Sequence, residues 1–100
     1  MVKLSVLYGH PKDPAAFEQY YAGTHMAIAG TMKGVNRVEL SKAIGAPDGG
    51  KPAYYRMADL YFDDVDHLQR VMGSPEGKAT ADDLANFATG GVTLLISEVA

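Results

Sequence analysis

The chain has 100 residues, of which 47% are hydrophobic and 21% charged, and its formal net charge at pH 7 is −3. This length suits one folded domain, and the composition is that of a globular protein and not of a disordered one. The nine Lys and Arg form no basic run, so neither nucleic acid nor an anionic membrane is an expected partner. The absence of cysteine excludes disulfides and thiolate chemistry and, with no signal-peptide or membrane-spanning pattern, predicts a cytoplasmic protein.

The first half of the chain predicts a strand, a long helix and a second strand. Residues 2–8 alternate between apolar and polar and end at the breakers 9–11. Asp13 is a suitable N-cap and Pro14 fits the first turn of a helix that ends in the glycine-bounded segment 30–34. Residues 35–43 then read as a strand.

The second half predicts a third strand, a broken helical region and a fourth strand. Gly and Pro in 45–50 indicate a turn, and residues 54–62 are rich in aromatic and apolar side chains. Asp63 or Asp64 caps a short helix, residues 73–76 end it and open another, and 92–99 form the last strand. The order β-α-β-β-α-β predicts one α+β domain over 1–100, with the four-stranded antiparallel sheet of the ferredoxin-like fold.

The strand patterns also predict a homodimer. Val92, Leu94 and Ile96 lie on one side of the last strand, while Leu95 and Val99 lie on the other. Helices on one face cannot cover both sides of such a sheet, and soluble monomers rarely expose a large apolar patch. We therefore expect two sheets to meet about a two-fold axis as a dimeric α/β barrel.

The first helix carries the candidate catalytic residues. At about 100° per residue, Phe17, Tyr21, Thr24 and Ile28 are predicted to share one face, with His25 at its edge. A phenol and an imidazole one turn apart can share a proton or a water, so Tyr21 and His25 could perform general acid–base catalysis. The structural alternative is a core tyrosine beside a half-exposed boundary histidine.

Further residues are predicted to line a pocket beside this pair. A helix packed on a sheet needs a partner for every buried hydroxyl or ring nitrogen, so the polar stripe on this helix favours a cavity. The predicted substrate-binding residues are Phe17, Tyr20, Thr24, Ile28 and, from the first strand, Tyr8. His10, His25 and His67 have no paired spacing for a metal, and the Gly-rich turn lacks a phosphate-loop pattern.

Two segments of the sequence resemble the EthD family of the dimeric α/β-barrel superfamily. The more specific is the Phe-x-x-Tyr-Tyr-x-x-x-His pattern of residues 17–25, and the other extends from 74–78 through 86–88. The resemblance implies a ferredoxin-like monomer, a barrel dimer and a cavity into which Tyr21 and His25 look. The family is named for a protein of ether degradation, and the superfamily ranges from isomerases and cyclases to cofactor-free monooxygenases and haem-binding enzymes.

Three functions follow as hypotheses. The first is a cofactor-independent enzyme that acts on a small, largely apolar or aromatic molecule. It would catalyse isomerisation, cyclisation or dehydration, or an accessory catabolic step such as ether degradation. His25 would be the acid or base, and Tyr21 or Tyr20 would donate a hydrogen bond to an oxyanion. The second is a non-catalytic metabolite-binding accessory protein. The third, haem binding, needs an inward-facing histidine such as His67 on the second helical region. We expect no cofactor and no metal.

Overall fold

The computed structural model describes all residues from 1 to 100 and contains one antiparallel sheet with helices on one face. The strands are β1 (Val2–Tyr8), β2 (Arg37–Lys42), β3 (Arg56–Phe62) and β4 (Val92–Glu98), in the spatial order β2-β3-β1-β4. The first helical segment comprises α1 (Pro14–Tyr20), a π-helical turn (Tyr21–His25) and α2 (Met26–Ala29). The second comprises α3 (Val65–Met72), α4 (Pro75–Asp83) and a 3₁₀ turn (Leu84–Asn86). The predicted α+β ferredoxin-like fold is confirmed.

Side-chain caps fix where the helices begin. The Asp13 carboxylate accepts a hydrogen bond from the backbone N–H of Ala16 at 3.2 Å, and the Asp64 carboxylate accepts one from that of His67 at 2.8 Å. Ser74 caps α4 in the same way. Each bond satisfies a backbone donor that the first turn of a helix leaves free. The predicted starts of these helices are therefore confirmed at Asp13 and Asp64.

One face of the sheet packs against the helices and forms the core. On this face Leu4 stands opposite Leu60 of β3 and Ile96 of β4, while Val6 stands opposite Ala58 and Leu94. The buried cluster is completed by aromatic and apolar side chains from the ends of β1 and β3 and from the helices, namely Val2, Tyr8, Phe17, Tyr21, Phe62, Leu68, Val71 and Phe87. Alternation along the strands places the strand residues of this cluster on the side that the helices cover.

The opposite, open face of the sheet is more polar than predicted. Ser5 donates a hydrogen bond to Asp59, and the Tyr61 hydroxyl donates one to Glu39. The Arg37 guanidinium lies 4.2 Å from the centre of the Tyr61 ring. The expectation that both sheet faces are apolar is thus wrong for the open face, because its apolar residues are interleaved with paired charges.

Uncovered apolar side chains lie instead on the helix-facing side of the two edge strands. Val38 and Leu40 of β2 are 50% and 45% exposed, and Leu94 and Ile96 of β4 are 52% and 54% exposed. The helices cover β1 and β3 and leave these outer strands open. No helix of the structure has the length and apolar character required to cross a membrane.

Candidate functional site

An apolar cavity of about 320 Å³ lies between the helices and the sheet. Fifteen of its eighteen lining residues are hydrophobic, and the other three are His25, Gly30 and Thr80. All four strands contribute to its wall, as do α2, α3 and α4. Because Val38, Leu40 and Leu94 belong to both the lining and the exposed edges of the sheet, the cavity is open to solvent in the single chain.

A π-helical turn in the first helical segment determines which side chains face this cavity. The backbone N–H of Met26 donates to the carbonyl oxygen of Tyr21, five residues earlier. Such a turn holds one more residue than an α-helical turn and is frequent at functional sites. Tyr21 and His25, at its two ends, are both buried, and their rings stack with centroids 5.9 Å apart.

The extra residue shifts the inward face of the helix by one position. Regular α-helical geometry predicted that Thr24 and Ile28 would follow Tyr21 on the buried face. Thr24 is instead exposed, and Ile28 is only partly buried and does not line the cavity. His25 and Ala29 take the inward positions. The predicted helical face is therefore wrong beyond Tyr21, because the π turn was not anticipated.

His25 is held by a buried carboxylate that the sequence analysis did not identify. The Nδ1 atom of His25 lies 2.8 Å from Oδ2 of Asp83, and both side chains are 4% exposed. Oδ1 of Asp83 accepts hydrogen bonds from the Tyr20 hydroxyl at 2.6 Å and from Nδ2 of Asn86 at 3.0 Å. Three donors, two from the first helical segment and one from the 3₁₀ turn, thus converge on one carboxylate.

The environment of Asp83 keeps it ionised. Burial by itself raises the pKa of this carboxyl group, but the hydrogen bonds from Tyr20, Asn86 and His25 outweigh burial and hold the pKa below its ordinary value of 3.8. An ionised Asp83 accepts from the ring, so Nδ1 of His25 carries the hydrogen. No group of the chain hydrogen-bonds the other ring nitrogen, Nε2, which belongs to a residue that lines the cavity and is an acceptor in the neutral ring.

The two candidate tyrosines Tyr8 and Tyr21 have different surroundings. Tyr8 is 1% exposed and lines the cavity, and its hydroxyl makes no hydrogen bond within the chain. Burial, with Tyr21 and Asp83 nearby, raises the pKa of Tyr8 well above its ordinary value of 10. The Tyr21 hydroxyl is fully buried without a partner, and Tyr21 is not part of the cavity wall. Burial also raises the pKa of Tyr21.

The remaining predicted residues lie around the cavity but do not line it. Phe17 is a core residue, 2% exposed, and packs on Tyr8 with ring centroids 5.4 Å apart. Tyr20 faces Asp83 and stacks on Phe87 at 5.2 Å. His67 is not a freely solvated side chain, because its ring packs edge-on against Phe62. No cluster of three His, Cys, Asp or Glu side chains has a geometry that could hold a metal ion.

Asp83 could have been found from its spacing in the sequence. It lies three residues after Thr80 and four before Phe87, and all three are buried. A helical face that includes Phe87 therefore includes Asp83. No residue of this helix was predicted from the sequence to belong to the site, so the carboxylate was missed.

Comparisons with known proteins agree with this fold. An uncharacterized 11.0 kDa protein from the thcB-thcC intergenic region of Rhodococcus erythropolis is 38% identical over 98 residues, which are 98% of this chain and 94% of that protein. The crystal structure of an EthD family protein from Bacillus halodurans superposes with a TM-score of 0.93 at 36% identity, covering 100% of this chain and 99% of the other. A dimeric protein of ferredoxin-like fold from Bacteroides fragilis has a TM-score of 0.68 at 16% identity, covers 98% and 95% of the two chains, and shares the fold alone.

The family relationship rests on most of the chain. The EthD domain model matches residues 10–91, which include the π turn, both members of the His25–Asp83 pair and the helices around the cavity. With the high identity to the two relatives over almost their whole length, the chain belongs to the EthD family.

Proposed function

We propose that this EthD family protein is a cofactor-independent enzyme that binds a small, largely apolar molecule in the cavity and moves a proton with His25. One observation carries the proposal. His25 is buried, fixed through Nδ1 by an ionised carboxylate, and free at Nε2 on a wall that is otherwise almost entirely apolar. Isomerisation, cyclisation and dehydration all need such a base or acid.

The Asp83–His25 pair has the arrangement expected of a general base with a positioning residue. The carboxylate fixes the ring orientation and the tautomer, and it stabilises the imidazolium that forms when Nε2 takes a proton. A histidine kept only for packing would not require a carboxylate with two further donors. Burying an ionised group is costly, so this network is consistent with a functional requirement.

A comparison of bound compounds tests the proposal. Wild-type protein and His25→Gln are purified gently from the same cells, and their small-molecule contents are compared by native mass spectrometry and by extraction. We expect the variant to accumulate a compound, the unreacted substrate, that the wild type does not retain. Gln19→Ala, an exposed change on the same helix, is the control and should match the wild type.

The same experiment separates catalysis from simple binding. An identical compound in identical amount in wild type and His25→Gln would favour a metabolite-binding accessory protein. That alternative is supported by the apolar lining of the cavity, which suits binding without turnover. The absence of any bound compound in both proteins, with no ligand found in a later screen, would contradict the proposal.

We also propose that the protein is a homodimer in the cytoplasm. The exposed apolar residues of the edge strands, which adjoin the cavity, support a second copy as their cover. The Bacteroides fragilis protein of the same fold, which is dimeric, supports it further. Native mass spectrometry at micromolar concentration should give twice the mass of the 10.7 kDa chain, and a monomer would contradict the proposal.

A further inference from the structure

The cavity presents two polar atoms that no other group of the chain engages. One is Nε2 of His25 and the other is the hydroxyl of Tyr8, which also lines the cavity. Thr80, the remaining polar side chain in the wall, donates its hydroxyl to the Glu76 carbonyl oxygen at 2.8 Å. A ligand in the cavity therefore meets one acceptor and one donor.

These two atoms belong to the same aromatic cluster. The His25 and Tyr8 rings both pack on Phe87, with centroids 4.7 Å and 5.8 Å from it, and both pack on Tyr21, at 5.9 Å and 5.6 Å. They consequently lie at the same end of the cavity, and one small molecule can reach both. The rest of the wall, including Met26, Met32 and Met72, offers only apolar contact.

The charge of the wall restricts the ligand further. No Lys or Arg lines the cavity, and Asp83 supplies a negative charge directly behind His25. A carboxylate or phosphate entering this space would lose its hydration without a compensating cation, which is strongly unfavourable. The cavity volume of about 320 Å³ equals that of about ten molecules of liquid water, so a ligand of about ten non-hydrogen atoms fits in the cavity.

We propose that the substrate is a neutral, enolisable carbonyl compound, and that Tyr8 is the catalytic hydrogen-bond donor to its carbonyl oxygen while His25 removes the proton from the adjacent carbon. This inference rests on the proposed function and specifies its substrate class. It also assigns to Tyr8 the donor role that the sequence favoured for Tyr21 or Tyr20. The Tyr20 hydroxyl is already engaged by Asp83, and the Tyr21 hydroxyl does not reach the cavity.

The step is balanced without any co-reactant. The carbon–hydrogen bond next to the carbonyl breaks, its proton goes to Nε2, and its electron pair moves onto the carbonyl oxygen. The Tyr8 hydroxyl donates to that developing oxyanion, and Asp83 stabilises the imidazolium. Return of the proton to the same carbon gives exchange, and return to another carbon of a conjugated substrate gives an isomer. The high pKa of Tyr8 keeps its phenol protonated throughout.

Phenylacetone and phenylacetate provide a matched pair of probes. They have the same number of non-hydrogen atoms and the same benzyl group, but only the ketone is neutral and readily enolised. Binding of each is measured by ligand-observed NMR. Loss of the benzylic proton signal of the ketone in D₂O then reports proton transfer at carbon, because deuterium replaces the proton that is removed.

We expect the wild type to bind the ketone at least tenfold more tightly than the acid and to accelerate its exchange over buffer by about a hundredfold or more. His25→Gln should abolish the acceleration. Tyr8→Phe should lower it about a hundredfold while ketone binding changes by only a few-fold. Tyr54→Phe, the same change outside the cavity wall, should leave both unchanged.

Four results would overturn the inference. Binding of phenylacetate as tight as or tighter than that of the ketone would refute the neutral substrate class. Ketone binding without exchange would refute the enolisation step. Either of these two results would leave the pocket and the proposed function standing. Exchange at the wild-type rate in Tyr8→Phe would remove Tyr8 from catalysis. Binding of neither probe would also overturn it, and if the purified protein carried no compound either, the proposed function would fail as well.

Discussion

Replacing Asp83 with asparagine tests the central pair most directly. The side-chain amide of Asp83→Asn can still accept from Tyr20 and Asn86 through its oxygen, which leaves its NH₂ group facing His25. Since that group donates, Nδ1 of His25 must become the acceptor, and the ring hydrogen moves to Nε2. The variant is therefore expected to hold its histidine in place but in the wrong tautomer for a base.

The cost in stability can be worked from the hydrogen bonds. In the wild type three donors meet an ionised carboxylate, and hydrogen bonds to charged groups contribute about 1.5–3 kcal/mol against about 0.5–1.5 kcal/mol for neutral ones. The loss of about 1 kcal/mol per bond is partly offset because the buried charge disappears. We expect the free energy of unfolding at pH 7 to fall by about 1–2 kcal/mol.

The pH dependence of this difference gives the sign of the effect. The folded pKa of Asp83 lies below its ordinary value, so its stabilising contribution is present above about pH 4 and is lost as the pH falls through the folded pKa. Urea unfolding of wild type and Asp83→Asn should therefore differ at pH 7 and converge in acid. Histidine ¹⁵N NMR should report Nδ1–H in the wild type and Nε2–H in the variant. Equal stability at pH 7 together with an unchanged tautomer would refute the argument.

Three further predictions concern packing and access. Gly77→Ala should lower the free energy of unfolding by about 2 kcal/mol in urea titrations, because the new Cβ would overlap the backbone at the end of α3. In the control Gly23→Ala the new Cβ meets nothing within 4 Å, so the free energy of unfolding should instead rise by about 0.5–1 kcal/mol. Phe87→Ala should cost about 3–4 kcal/mol by the same assay, since this buried ring joins five aromatic neighbours. Ala29→Phe should fill the cavity and weaken phenylacetone binding at least tenfold, whereas Ala27→Phe on the exposed side should not; equal effects would contradict the shifted helical face.

The order of elements was predictable because each one has local signals. Alternating apolar residues mark the strands, and Asp13 and Asp64 mark two helix starts that the structure reproduces. Strand ends were less predictable: β2 spans Arg37–Lys42 and β3 begins at Arg56, both shorter than the apolar pattern suggested. Val35 and Tyr55, just outside these limits, pack against the core without joining the strands.

The candidate site was only half predictable, for a physical reason. Helical spacing brought Tyr21 and His25 together, but nothing in local propensity distinguishes a π turn from an α-helical one, so Thr24 and Ile28 were placed on the wrong face. The partner of His25 was missed because Asp83 comes 58 residues later. Its contact depends on how α4 packs against the first helical segment, which a single sequence does not specify.

The π turn at Tyr21–His25 has a consequence for how relatives should be aligned. Deleting one residue from such a turn yields an ordinary helix with nearly the same side chains facing inward. Homologues with three residues between the tyrosine and the histidine and homologues with two can therefore share one pocket. An alignment without a gap at this point would pair His25 with residues that face water, so that the histidine would wrongly look variable.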